Sequence, residues 1–257
     1  MSLHAVELVR AGLRRVARPA GGVLLVGFLA ALGVVNASLN TILTAVSGTE
    51  LPGGIVVATY GVTLPGGPLI AAVVLPASVG VASVLGVVGV RLLGDDGDGR
   101  WRSPRRCLTQ RTLSASAGVA AVVGLGALAL PLGVAALVVP GLLVAAYLLV
   151  VPGVVALEGV DPIEAVHRTT RRLTRGRALA LAGAAALLLL VAAAVVAAAS
   201  LTYLLRPGTE FALGVLVGAG LALSWVGVAA EAHARLGGNA RPTPNRTARS
   251  TPSSRAL

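Results

Sequence analysis

The residues of this sequence that could perform acid–base or metal chemistry stand at the ends of apolar segments, not inside them. Glu158 and Glu231 each close a long apolar run, and His4, His167 and His233 occupy interfacial or loop positions without metal-ligand spacing. An enzyme working inside a bilayer needs paired acids, a metal cluster or a nucleophile beside a base. The apolar runs contain none of these. We therefore predict a protein that is not an enzyme and uses no metal or cofactor.

A second group of polar residues lies within the first apolar run. Asn36, Asn40 and Thr44 recur at every fourth position, so they share one side of a helix. One interpretation is hydrogen bonding between helices, worth about 0.6 kcal/mol per contact in a membrane. The other is the polar lining of a substrate path, which makes a transporter or facilitator for a lipid-like or apolar small molecule the alternative function. Ion-coupled carriers usually have an ionisable residue at mid-membrane, and no apolar run has one.

Arginine is the third candidate group. All 21 basic residues are arginine, against 10 acids, and the net charge is +11. In a soluble protein this excess would suggest nucleic acid, but arginine also accumulates in loops on one side of a membrane. We therefore predict no nucleic-acid binding and an arginine-rich surface at the headgroups of the bilayer. Its predicted contacts with anionic lipid or a partner protein are Arg14, Arg15, Arg18, Arg168, Arg171, Arg172 and Arg175.

The elements that must position these groups are predicted to be membrane-spanning helices. Of the 257 residues, 56% are hydrophobic and 12% are charged, whereas typical soluble domains are about 25% charged. Apolar runs long enough to cross a bilayer as a helix recur along the chain. The single Cys107 excludes an internal disulfide. The predicted fold class is an all-α, polytopic membrane protein.

Six spans are predicted, arranged as three helical hairpins, with a short basic helix on the cytoplasmic side before each hairpin. Residues 115–157 carry no charge and are too many for one span, so they form the third and fourth. The turn between these two is placed near Pro140-Gly141 in preference to Pro131–Gly133. The other four spans are residues 21–46, 69–90, 178–205 and 211–230, and the basic helices are residues 2–18, 103–113 and 161–175.

The arginine distribution predicts the orientation. With six spans, all arginines but Arg206 fall on one side, and positive residues mark the cytoplasmic side. Both termini of this multi-pass cell-membrane protein are therefore predicted to be cytoplasmic. The predicted domains are a cytoplasmic amphipathic helix over residues 1–20, a six-helix membrane domain over 21–236 and a disordered cytoplasmic tail over 237–257. Re-entry of residues 55–64 into the membrane stays open.

The first and third basic helices align without gaps at an offset of 157 residues, so that Glu7 matches Glu164 and the apolar stripes coincide. Any interfacial helix could show this pattern. The sharper hypothesis is a parallel repeat of three units, each an interfacial helix followed by a hairpin. The matched arginines are Arg14 with Arg171, Arg15 with Arg172 and Arg18 with Arg175.

The segment from Glu158 to Gly176 carries the most local information. Asp161 is predicted to cap a helix that begins at Pro162, with Glu164 reaching back to its start. Gly176 is placed to end that helix in a left-handed conformation. Because arginines oppose a less polar stripe, the helix should lie flat in the headgroup layer. The stripe is predicted to be Ile163, Val166, Thr170 and Leu173.

Glu158 stands at the end of the fourth span and close in sequence to Arg171, Arg172 and Arg175. We predict that Glu158 pairs with one of these arginines or with the free amides of the next helix, and that it is structural, because a partly buried charge without a partner is costly.

The surrounding segment, residues 147–177, has an apolar span that ends in a proline, then Val-x-x-Glu-Gly, then a short basic helix and a glycine before the next span. It resembles the glycerophosphoryl diester phosphodiesterase membrane-domain group and its uncharacterised bacterial and archaeal relatives, the haloarchaeal ones especially. The resemblance implies a six-span membrane domain but no diesterase activity, because that chemistry belongs to a separate soluble barrel. Thr169 to Arg171 replace the usual aromatic residue. The matching residues are Pro152, Val155, Glu158, Gly159, Glu164, Ala165, Arg168, Arg172 and Gly176.

These observations together predict a function without chemistry. We expect a non-catalytic integral membrane protein whose partners are the lipid bilayer, its anionic lipids and an unidentified protein. Its arginine-rich cytoplasmic face would organise that lipid or that partner.

Overall fold

The computed structural model describes residues 4–47, 62–94, 114–121, 138–203 and 209–237. These residues form eight helices and contain no strand, so the all-α class is confirmed for the described part of the chain. The helices are α1 (Ala5–Val16), α2 (Pro19–Ser47), α3 (Gly67–Gly94), α4 (residues 114–121), α5 (Val138–Glu158), α6 (Pro162–Arg172), α7 (Arg175–Tyr203) and α8 (Thr209–Gly237).

Among the described residues, four helices are long and apolar enough to cross a membrane, over Pro19–Val46, Gly67–Gly94, Gly176–Val195 and Phe211–Leu236. Helices α5 and α6 pass the same test as a pair, but the chain bends by 117° between them. The described part of the chain thus shows a multi-pass membrane protein with four to five apolar helices of span length. Most of the predicted third span falls on residues 122–137, outside the described residues.

The favoured position of the turn between the third and fourth spans is wrong. Helix α5 begins at Val138, so Pro140 and Gly141 lie in its first turn. Proline fits there because the amide that it lacks would have no partner within the helix. Other predictions concern residues outside the described ranges, namely the basic segment 103–113, most of the external segment 47–68 and the tail after residue 237.

Helix α8 is the centre of the bundle and contacts α1, α2, α3, α5 and α7. Its core-facing residues include several alanines, of which Ala219, Ala230 and Ala232 are fully buried. Small residues let helix backbones approach closely, which is how helices associate in a membrane where lipid is as apolar as leucine. Helices α2 and α3 form the most extensive antiparallel pair, with Gly27 beside Leu85.

Helix α1 packs against the protein with one full face. Its buried residues are Leu8, Val9, Gly12 and Arg15. A Cβ atom added to Gly227 of α8 would lie 2.6 Å from the Gly12 carbonyl oxygen and 2.5 Å from Cγ2 of Val16. The backbones of α1 and α8 are therefore in contact, and glycine is required at that position.

Gly227→Ala is expected to lower the melting temperature of the protein in detergent, because the new methyl group would overlap α1. Overpacking of this kind costs about 1–3 kcal/mol. The matched control is Gly220→Ala on the same helix, where an added Cβ meets nothing within 4 Å. That control should be neutral or stabilising, since alanine favours helix over glycine. Equal melting temperatures for both variants would contradict the close packing of α1 on α8.

Candidate functional site

The ionisable side chains described by the structure gather at one end of the bundle, which we call the basic end. It is formed by α1, α6 and the C-terminal ends of α3, α5 and α8. Helices α5 and α8 run side by side here, since a Cβ atom on Gly153 would lie 3.5 Å from the Ala229 carbonyl oxygen and 3.9 Å from Cβ of His233. Two glutamates, Glu231 on α8 and Glu158 on α5, each bind two arginines.

The Glu231 cluster ties three helices together. Arg15 on α1 donates through Nε to Oε2 of Glu231 at 2.7 Å, and Arg235 donates to Oε1 at 2.7 Å. Arg15 also donates through Nη1 to the carbonyl oxygen of Leu93 on α3 at 2.7 Å. Because Arg15 is only 9% exposed, its guanidinium is directed into the protein. Arg15 therefore does not face the anionic lipid or partner protein that the sequence predicts as its contact.

The Glu158 cluster joins α6 to the end of α5. Arg168 donates through Nη1 to Oε2 of Glu158 at 2.9 Å, and Arg172 donates through Nη1 to Oε1 at 2.5 Å. The sequence analysis named Arg172 among three possible partners, but it missed Arg168. The signal for Arg168 was its position one helical turn before Arg172, on the same face.

Helix α6 begins where the sequence predicted, but the capping interactions predicted at its two ends are not formed. Asp161 occupies the N-cap position and Pro162 the first turn, yet the Asp161 side chain makes no capping hydrogen bond. Glu164 accepts from Nε of Arg168 at 2.9 Å instead of reaching back to the helix start. This charge-assisted bond lowers the pKa of the Glu164 carboxyl below its ordinary value.

The left-handed glycine of this segment is Gly159, not Gly176. Gly159 has φ +65°, and its amide bonds to the Val155 carbonyl oxygen at the end of α5. It therefore permits the sharp bend into α6 at a position where a side chain would be strained. Helix α6 ends earlier, at Arg172, and Gly176 lies in the first turn of α7.

Helix α6 packs across the end of α5. The Tyr147 hydroxyl lies 3.1 Å from Oγ1 of Thr170, and Ala165 and Thr169 are fully buried. In contrast, Ile163 is 76% exposed. The buried stripe of α6 is thus one residue removed from the predicted apolar stripe, most of which faces outwards.

The exposed arginines of α1 and α6 form a separate class. Arg14, Arg18 and Arg171 are exposed, and none has a carboxylate partner among the residues that the structure describes. Val6, on the exposed side of α1, is 67% exposed, as Ile163 is on α6. Cations and apolar side chains thus share the outward faces of both helices. The side chain of Arg175 lies outside the described part of the chain.

Residues of the predicted polar path on α2 form hydrogen bonds within the protein. Asn40 is 2% exposed and donates through Nδ2 to the Val62 carbonyl oxygen at 2.7 Å. Thr41, which the spacing argument missed, accepts from the amide of Leu64 at 2.7 Å. These bonds hold residues 62–64 against α2. The other predicted residues are Asn36, which is half-buried, and Thr44, which donates to the Asn40 carbonyl oxygen.

No protein-family model, curated protein or solved structure matches this chain. The resemblance of residues 147–177 to a known membrane-domain group therefore stays a prediction. Within the described ranges, no group of three His, Cys, Asp or Glu residues could hold a metal ion. The function has to be inferred from the geometry of the basic end.

Arg15→Gln is expected to destabilise the protein by about 3–5 kcal/mol, because it removes one partner of a buried ion pair. Glu231→Gln should be costly for the same reason, and the double variant should cost less than the sum of the two. Thermal unfolding in detergent measures all three. Glu164→Gln is the control, since its pair with Arg168 lies at the surface, where ion pairs contribute little. Additive effects in the double variant would show that Arg15 and Glu231 are not coupled.

Proposed function

We propose that this protein is a non-catalytic, multi-pass membrane protein that binds anionic lipid headgroups through the exposed arginines of its basic end. The observation that carries the proposal is the division of the arginines into two classes. Arg15, Arg168 and Arg172 form ion pairs with glutamates, whereas Arg14, Arg18 and Arg171 are exposed and have no carboxylate partner among the described residues.

The exposed faces of α1 and α6 fit a lipid surface better than bulk water. Each presents a large apolar side chain, Val6 or Ile163, together with arginine. A helix with this distribution lies in the interface, with apolar residues among the acyl chains and cations at the headgroups. Each arginine near an anionic surface contributes about 1 kcal/mol. Three exposed arginines would therefore contribute roughly 3 kcal/mol at low salt, as an upper limit because salt screens them.

The proposal includes the orientation and the full span count. We propose six spans in three hairpins with the basic end in the cytoplasm, because all arginines but Arg206 then lie on that side. The contacts of the basic end support this arrangement. Arg15 joins α1 to the C-terminal ends of α3 and α8, and Arg91 donates to the Ala156 carbonyl oxygen near the end of α5.

Transport of a lipid-like or apolar molecule has less support. A polar path through α2 would need free polar groups facing it, but Asn40 and Thr41 are both bonded to residues 62–64. A partner protein with an acidic surface is the other possible occupant of the basic end, and the lipid experiment below separates it from lipid.

The topology is tested with single cysteines on a background without Cys107. Glu50→Cys should react with an impermeant thiol reagent only from outside the cell, and Ser250→Cys only from the cytoplasm. Labelling of position 50 from the cytoplasm, or of position 250 from outside, would reject the six-span arrangement.

The lipid proposal predicts that the purified protein retains phosphatidylglycerol in preference to phosphatidylcholine, as measured by native mass spectrometry. Replacement of Arg14, Arg18 and Arg171 by Gln should abolish the preference, while replacement of the same three by Lys should keep it. Added salt should weaken retention in the wild type. If orientation is unchanged and the Gln variant retains as much phosphatidylglycerol as the wild type, these arginines serve only as topology signals.

A further inference from the structure

The two amphipathic helices of the basic end, α1 and α6, are placed on the bundle in corresponding ways. At the offset of 157 residues, the buried residues of α6 coincide with buried residues of α1. Ala165 matches Leu8, and Thr169 matches Gly12; all four are buried. The offset in the sequence matches residue types only and does not show which face of each helix packs inwards.

The same offset relates one arginine of each ion-pair cluster. Arg15 matches Arg172, and each binds a glutamate in the last turns of a core helix, Glu231 on α8 and Glu158 on α5. The second arginine on each glutamate differs in origin, since Arg168 belongs to α6 whereas Arg235 belongs to α8 itself. Helix α6 directly follows the helix on which it packs, whereas α1 is 216 residues from its partner glutamate. Each amphipathic helix is nevertheless attached to a core helix by one of the two matched arginines.

The outward faces correspond as well. Val6 and Ile163 are 67% and 76% exposed, and Arg14 and Arg171 are both exposed. In each helix the arginine follows the apolar residue by eight positions, which is just over two turns, so the two side chains lie on neighbouring parts of the outward side. Two charge differences occur on these faces, since Arg10 matches the exposed His167 and His4 matches the exposed Asp161.

We propose that α1 and α6 are two separate, corresponding sites for the headgroup of an anionic phospholipid. In each site the exposed arginine, Arg14 or Arg171, binds the phosphate, and the apolar residue, Val6 or Ile163, lies against the acyl chains. This deepens the proposed function and rests on it, since it names the number of sites and their residues. Phospholipid is the occupant because a free phosphate ion would give the exposed apolar residue nothing to contact.

The two sites are independent because each helix is fixed to a different core helix by a different glutamate. Losing the exposed arginine of one helix leaves the glutamate-bound arginine of that helix, Arg15 or Arg172, and the packing of the helix intact. A change in α1 therefore does not disturb the headgroup contacts of α6.

The test is a titration of the full-length protein with phosphatidylglycerol, followed by native mass spectrometry. Arg14→Gln and Arg171→Gln should each weaken one of two sites about fivefold and leave the other unchanged. The double variant should weaken both. Arg14→Lys and Arg171→Lys, which keep the charge, should bind like the wild type. Melting temperatures should stay at the wild-type value, since neither arginine has a carboxylate partner among the described residues.

Three outcomes would overturn the two-site proposal. Equal loss of binding in a single variant and in the double variant would indicate one shared site. A change of binding in only one of the two single variants would show that the helices do not correspond. Displacement of the lipid by inorganic phosphate at equal concentration would identify a free-anion site. Equal binding of phosphatidylglycerol and phosphatidylcholine by the wild type would instead reject the proposed function itself.

Discussion

The ion pair between Arg15 and Glu231 is the interaction on which the basic end depends. Two charges removed from water lose several kcal/mol of hydration each, and their attraction offsets this only when their other hydrogen-bonding groups are also satisfied. The Leu93 carbonyl oxygen and Arg235 supply those bonds. Without α1, Glu231 would lose its buried partner at the end of the central helix. Helix α1 is therefore part of the core rather than an appendage at the surface.

The sequence predicted the helices well because hydropathy is local. Apolar runs long enough to span a membrane located α2, α3 and α8. The proline after Asp161 located the start of α6. The sequence did not predict the burial of Arg15. An amphipathic helix has the same pattern of apolar and charged residues whether its charged face contacts lipid or protein. The partner of Arg15 lies 216 residues away, beyond any periodicity. The glycines of α1 and α8 allow these two helices to approach closely, but only the fold reveals that approach.

The predicted polar stripe on α2 shows a different limit. Spacing correctly placed Asn40 on one helix face but could not distinguish a helix partner, a substrate and a nearby loop. In the structure its partner is the segment before α3, through the Val62 carbonyl oxygen. A buried amide must find some partner. Here the backbone of residues 62–64, which lies against α2, provides it.

The two classes of arginine have linked roles. At physiological salt an exposed charge acts over only about 8 Å, so Arg14 and Arg171 can attract a headgroup only if their helices are held at headgroup depth. A helix free to tilt or move outwards would lose this attraction. In the proposed function, Arg15 and Arg172 would fix that depth by attaching α1 and α6 to the ends of α8 and α5. The glutamate-bound arginines would thus position the exposed ones for the proposed lipid contact.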